Sequence, residues 1–342
     1  MSYRIDNIID NIYNTVESHR LENEGEYARW LWQNEENDRK MGLNEYGCAD
    51  AANILYSIGK FPDTSAKREA WVKTLQGFQN PESGLFQEPT HHFIHTTAHC
   101  IAALELFDAK PAYPLTDLMK YANRDGLYDL LENLQWKTIP WPQSHQGAGI
   151  YAAMMLSESV DETWRDDYFA WLWENQDPET GLWRKGTIKE GTAPLFHHMG
   201  GTFHYVFNHE HAHMPLRYPE KLIDTCIMLY EEKMIGRKND VYDNDKFGQY
   251  IGFLEVDWAY CINRAMRQIP HRFADCKRVL TKFTGEYIEF LNSIDVQTHD
   301  GFNDLHMLFG TTCALAELQQ ALPGTLITKK PLKLVLDRRP FI

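Results

Sequence analysis

The feature that most constrains the fold of this chain is an internal repeat. Two turn sequences, QNPESGLF (residues 79–86) and QDPETGLW (residues 176–183), each follow a tryptophan-bearing stretch with helical spacing. Each carries Pro and then Gly, which stop helices. Behind both turns the chain aligns on itself without gaps, residues 89–114 on residues 194–219. Seven of those 26 pairs are identical: Pro89/Pro194, His92/His197, Thr97/Thr202, His99/His204, Glu105/Glu210, Tyr113/Tyr218 and Pro114/Pro219. Self-similarity of this kind marks an architecture made by stacking one supersecondary unit, so isolated motifs have to be placed within it.

Weaker copies begin at Arg29, Leu130, Gly236 and Phe290. Every copy reads as one helix, a polar loop containing glycine, and a second helix rich in Ala, Ile, Leu and Cys. The first helices are amphipathic, whereas the second are apolar around most of their circumference and demand burial on all sides. Six such pairs meet that demand by closing a ring with the second helices inside. The expectation is therefore an all-α fold, an (α/α)6 toroid formed as a single domain over residues 1–342. Its N-terminal helix, within residues 1–28, sets Ile5, Ile8, Ile9, Ile12 and Val16 on one side. Residues 325–342 read as a short extended tail, with strand character at 332–336. An open helical solenoid is the alternative.

The spacing Gln-x4-Gly-x-Trp at Gln176, Gly181 and Trp183 resembles the QW motif of squalene-type terpenoid cyclases. QNPESGLF similarly resembles the glycine turn of protein prenyltransferase β-subunits. The resemblance implies the α/α toroid as scaffold. The motifs that carry those families' chemistry are not matched. DNDK at 243–246 is the nearest approach to the cyclases' Asp-x-Asp-Asp, and neither a DDxxD site nor the prenyltransferases' zinc triad occurs. The same toroid is similar to folds used by glycosidases, polysaccharide lyases and sugar epimerases, among which fold alone does not choose.

Net charge is −14, from 48 acidic and 34 basic residues. Such a surface repels phosphate backbones and anionic lipid, so neither nucleic acid nor membrane is expected as partner. The basic residues between Lys329 and Arg339 read as a solvated terminal segment. No apolar run approaches membrane-spanning length and no signal peptide opens the chain. The six cysteines form no CxxC pair. A cytoplasmic setting is expected.

In a toroid of this type the amino ends of the inner helices converge on one mouth, with unpaired N–H groups and a positive field. Mostly His and Asp open those helices here: Asp50, His92, His95, His99, His145, His197, His198, His204, Glu255, Asp257, Asp304 and His306. The expected catalytic set is Asp50, His99, His145, His204, Asp257 and Asp304. Tyr46, His92, His95, Trp141, Trp183, His197, Trp258 and His306 are expected to contact substrate. For hydrolysis, two carboxylates among Asp50, Asp257 and Asp304 would serve as acid and base. For epimerisation or elimination, His99 and His204 would move the proton. The expectation is a carbohydrate-active enzyme (hydrolase, lyase or epimerase) acting on a small saccharide. The alternatives are a non-standard terpenoid cyclase or prenyl-binding protein, and a non-catalytic toroid that binds a ligand or protein. This reading requires no cofactor and assigns no metal ligand. A metal ion is kept as an alternative, because three imidazoles or carboxylates suffice for a catalytic zinc.

One further motif competes for attention. His209-Glu210-x-x-His213 has the spacing of a zinc peptidase. The repeat sets these residues against Leu104, Glu105 and Asp108, at the last turns of an inner helix and away from the mouth. The match is therefore expected to be accidental.

Overall fold

A computed structural model of the protein describes residues 2–33, 39–232 and 247–342. Among them the chain is predominantly helical. In order come β1 (Tyr3–Arg4), α1 (Asp6–Ser18), α2 (Glu45–Ser57), α3 (Ser65–Gly77), α4 (Phe93–Glu105), a 3-10 turn (Thr116–Tyr121), α5 (Arg124–Asn133) and α6 (Pro140–Leu156). Then follow α7 (Glu162–Asn175), α8 (Leu195–Ala212), α9 (Pro219–Glu231), α10 (Leu254–Gln268), α11 (Phe273–Ser293), α12 (Asp300–Asn303), α13 (Leu305–Ala321), β2 (Leu326–Ile327) and α14 (Val335–Arg338). β1 and β2 form a parallel two-stranded pair, Tyr3 beside Leu326.

The helix starts are written locally. Asn44, Thr64, Asn123, Asp161 and Asp304 each accept a hydrogen bond from a backbone N–H of the first turn they precede. Proline opens α6 and α9, where its missing N–H costs nothing.

Helices α2, α4, α6, α8, α10 and α13 are buried along nearly their whole length. By contrast α3 buries only Trp71 and Leu75, and α5 only Leu127 and Leu131. Each buried helix packs on the next: α2 on α4, α4 on α6, α6 on α8, α8 on α10 and α10 on α13. Finally α13 packs back on α2.

Two expectations need correction, and a third begins outside the described residues. Residues 29–33 are not the first helix of a pair; α1 takes that place, and Trp30 instead bridges to Asp304. The copy read from Gly236 begins in a segment outside the described residues, as does DNDK, and α9 precedes α10 as its partner. The tail is not a strand at 332–336, and it is solvated only in part: Lys329, Lys330 and Lys333 are exposed, but the residues after them dock on the fold. Val335–Arg338 is a helical turn, Arg338 bonds Glu105 at 2.8 Å, and Arg339, Phe341 and Ile342 are buried.

Candidate active site

One cavity of about 420 Å³ opens among the first turns of the buried helices and the loops before them. Six histidines line it: His91, His95, His145, His197, His204 and His306. Beside them stand Arg29, Trp141, Phe253 and a set of apolar or small side chains that includes Ile139, Pro142, Pro194 and Met307. No Asp or Glu lines it among the described residues.

The histidines are placed by helix periodicity and by neighbours on the adjoining helix. Tyr46 and Asp50 are four residues apart on α2, and His95 and His99 four apart on α4, so each pair shares a face. The two faces meet. The Tyr46 hydroxyl lies 2.5 Å from His95 Nδ1, and its ring stacks on His99 and His91 with centroids 4.9 and 4.6 Å away. One turn below, His99 Nε2 donates to Asp50 Oδ1 at 2.8 Å. From α13, His306 Nδ1 donates to Asp50 Oδ2 at 3.1 Å. Burial alone would raise the Asp50 pKa, but His306 and His99 outweigh it and hold the carboxyl well below its usual range. Asp50 is thus an ionised acceptor beneath the cavity wall.

Hydrogen bonding also settles which ring nitrogens carry protons. The Ser144 hydroxyl donates to the Trp141 carbonyl at 2.6 Å, so at 2.9 Å it accepts from His204 Nδ1. His204 therefore keeps its lone pair on Nε2. The Thr90 hydroxyl donates to Glu88 and accepts from Arg29 at 2.9 Å. At 2.7 Å it accepts from His91 Nδ1 as well, which leaves the lone pair of His91 on Nε2. Burial keeps these rings neutral. It lowers His91 to about 4 and His204 to about 3. Burial and the neighbouring histidines push His95 and His145 well below the ordinary value.

Arg29 is the cation of the wall. It forms a two-pronged pair with Asp304 at 2.9 and 3.1 Å, and its guanidinium lies over the Trp30 and Tyr46 rings. Trp141 supplies an aromatic wall because α8 makes room for it: a Cβ on Gly200 would stand 2.7 Å from the indole.

Of the expected catalytic residues, His145 and His204 line the cavity. Asp50 and His99 lie beneath it, and Asp304 anchors Arg29. Asp257 does not join them: it is fully buried and absent from the cavity wall, and burial, with Glu255 beside it, pushes its carboxyl well above the usual range. Of the expected substrate contacts, His95, Trp141, His197 and His306 line the wall, while Tyr46 backs it. His92 instead caps α4, accepting from Ile94 N at 3.2 Å. Trp183 donates to the Leu172 carbonyl at 2.8 Å and packs on Tyr205 and His209, and Trp258 donates to the Cys226 carbonyl at 2.9 Å. Both tryptophans belong to the scaffold. His91 and Arg29 were absent from the expected set; His91 lies before the cap of α4, outside the helical spacing that marks His95 and His99.

The zinc-peptidase spacing has other commitments. His209 Nδ1 donates to the Tyr205 carbonyl at 2.7 Å, Glu210 pairs with Arg264 at 3.1 Å, and His213 is the left-handed cap of α8. No helix of the described residues is long and apolar enough to cross a membrane. No protein-family model, curated protein or solved structure matches this chain.

Proposed function

We propose that the chain closes its six helix pairs into an (α/α)6 toroid whose cavity is the active site of a carbohydrate-active lyase or epimerase. Closure draws support from the packing of the last buried helix, α13, on the first, α2. A cytoplasmic setting belongs to the same proposal and is supported by six free, buried cysteines.

The observation that carries the chemistry is His204. Its Nδ1–H is held by Ser144, its ring is kept neutral by burial, and it borders the cavity. An imidazole so held can take a proton from carbon through Nε2 and return it. A C–H bond is acidic enough for this only beside a carbonyl or carboxylate, which points to an aldose, a ketose or a uronate. Delivery of a proton to the opposite face by a second acid gives the epimer, and departure of a β-substituent, protonated as it leaves, gives the unsaturated product. Trp141 offers a face on which a sugar ring can stack. Hydrolysis by paired carboxylates is disfavoured, because no Asp or Glu borders the cavity among the described residues and Asp50 is already committed to two histidines.

Incubation of the protein with a panel of aldoses, ketoses and uronates in D2O, read by NMR, tests the reading. Deuterium entering at the carbon beside the carbonyl is expected, and His204→Ala should abolish it. Exchange that persists in that variant, or none across the panel, would reject it. The apolar part of the wall favours a second reading, an isoprenoid occupant. Thermal stabilisation by prenyl diphosphates without any by sugars would select that reading instead.

A further inference from the structure

We propose that His91, His95 and His306 form a site for a divalent metal ion of the zinc class, with one coordination position open to the cavity. The three side chains can each bring a ring nitrogen within 4.8 Å of the others, and all three line the cavity. Their ring centroids are 4.7 Å (His91–His95), 5.1 Å (His91–His306) and 6.0 Å (His95–His306) apart.

What separates this cluster from a chance gathering of histidines is that every Nδ1 is already held by a different neighbour. Thr90 holds His91, Tyr46 holds His95 and Asp50 holds His306. For His91 and His306 the partner is an acceptor, which sets the proton on Nδ1 and the lone pair on Nε2. The Tyr46 hydroxyl has the Thr96 hydroxyl at 3.4 Å as an outlet for its own proton, so His95 can adopt the same form. Metal-binding histidines are oriented and made more basic in this way, each giving its other N–H to a carboxylate, hydroxyl or carbonyl.

A second grouping, Asp50 with His99 and His306, is equally compact. Its closeness is accounted for by the hydrogen bonds within it, which use the atoms that would have to ligate. Asp50 is therefore a support for the first group. Three imidazoles suit zinc and its d-block neighbours, and three protein ligands with one open position is the catalytic arrangement. The surroundings favour a dication: Asp50, Glu88 and Asp304 stand against Arg29 and, acting on Asp50, Arg339. A metal here would polarise an oxygen of a molecule bound beside His204. The inference does not rest on the saccharide reading, because ligation is measured without substrate.

The test uses the full chain, stripped with a chelator, dialysed, and titrated with Zn2+ by calorimetry and with Co2+ by visible absorption. One equivalent of each should bind. His91→Ala and His306→Ala should each weaken binding by about a hundredfold or more, and Asp50→Asn by about 10- to 100-fold. His213→Ala, at an exposed position at the far end of α8, should change nothing. His91→Cys guards against a folding artefact: it should retain Co2+ and add a sulfur-to-metal charge-transfer band. Wild-type binding of less than one equivalent, unchanged affinity in His91→Ala and His306→Ala, or a cysteine variant without that band would each overturn the proposal.

Discussion

Asp50 joins two helices that lie far apart in the chain, accepting from His99 Nε2 at 2.8 Å and from His306 Nδ1 at 3.1 Å. His306 is 256 residues away, so this carboxylate ties α13 to α2 as well as α4 to α2. Replacing Asp50 by Ala strands two buried imidazole N–H groups. The cost should be about 3 kcal/mol or more, with Asp50→Asn losing less because its amide oxygen still accepts one bond. Urea midpoints measure both, and equal midpoints for wild type and the Ala variant would show that the network holds nothing together.

The Arg29–Asp304 pair makes a second prediction. Both side chains are almost completely buried, at 6% and 11% exposure. Asp304→Ala removes the two-pronged partner of a buried guanidinium and leaves it only Glu88, at 3.9 Å; it should destabilise by about 3 kcal/mol. Arg29→Met with Asp304→Leu removes both charges and should restore much of that loss. A double variant as unstable as the single one would contradict this account.

Two glycines with nearly the same positive φ should behave differently. Gly181 has φ +73° and a Cβ there would meet Leu222 N at 2.3 Å; Gly186 has φ +77° and open space around it. Gly186→Ala should cost about 1 kcal/mol from backbone strain alone. Gly181→Ala adds a collision with the start of α9 and should cost several times as much. Thermal melts side by side decide it, and equal shifts would mean that the close approach is unimportant.

Acid should unfold this protein early. Burial lowers His198 and His209 to about 4 and His204 to about 3, against 6.5 for an ordinary histidine. As pH falls below 6.5 the unfolded chain binds protons that the folded chain refuses. The stability these groups contribute is whole above 6.5 and is lost as pH falls toward about 4 and 3. Each histidine adds a slope of roughly 1.4 kcal/mol per pH unit. His209→Gln should flatten the decline between pH 6.5 and 4.5 by about one such slope, and a denaturation series across that range would detect it.

The helical repeat was legible in the amino-acid order because its identities perform short-range tasks. Gln79 donates to the Gly84 carbonyl at 2.8 Å and Gln176 to that of Gly181 at 2.7 Å. Thr97 accepts from Phe86 N at 3.0 Å and Thr202 from Trp183 N at 3.1 Å. Such contacts span a few turns of chain, so they recur wherever the unit recurs. The same periodicity located the histidines of α4, α6 and α8 and the inward phase of His95, His145 and His204.

Which titratable groups would face one another lay beyond that reach. Arg29 sits in a stretch that reads as helix but is held extended by Asn303 and by the Leu305 N–H, some 270 residues away. His91 precedes the cap of α4 and belongs to no helical face, yet Tyr46 and Thr90 draw it into the wall. Asp257 has the right residue type near the start of a buried helix, but Phe253, one turn earlier, is what reaches the cavity. Local order sets the period and the caps, through bonds that close within a turn or two. Which imidazole meets which acid follows from helices 49 to 256 residues apart being packed side by side, and that packing also decides which nitrogen of His204 keeps its lone pair.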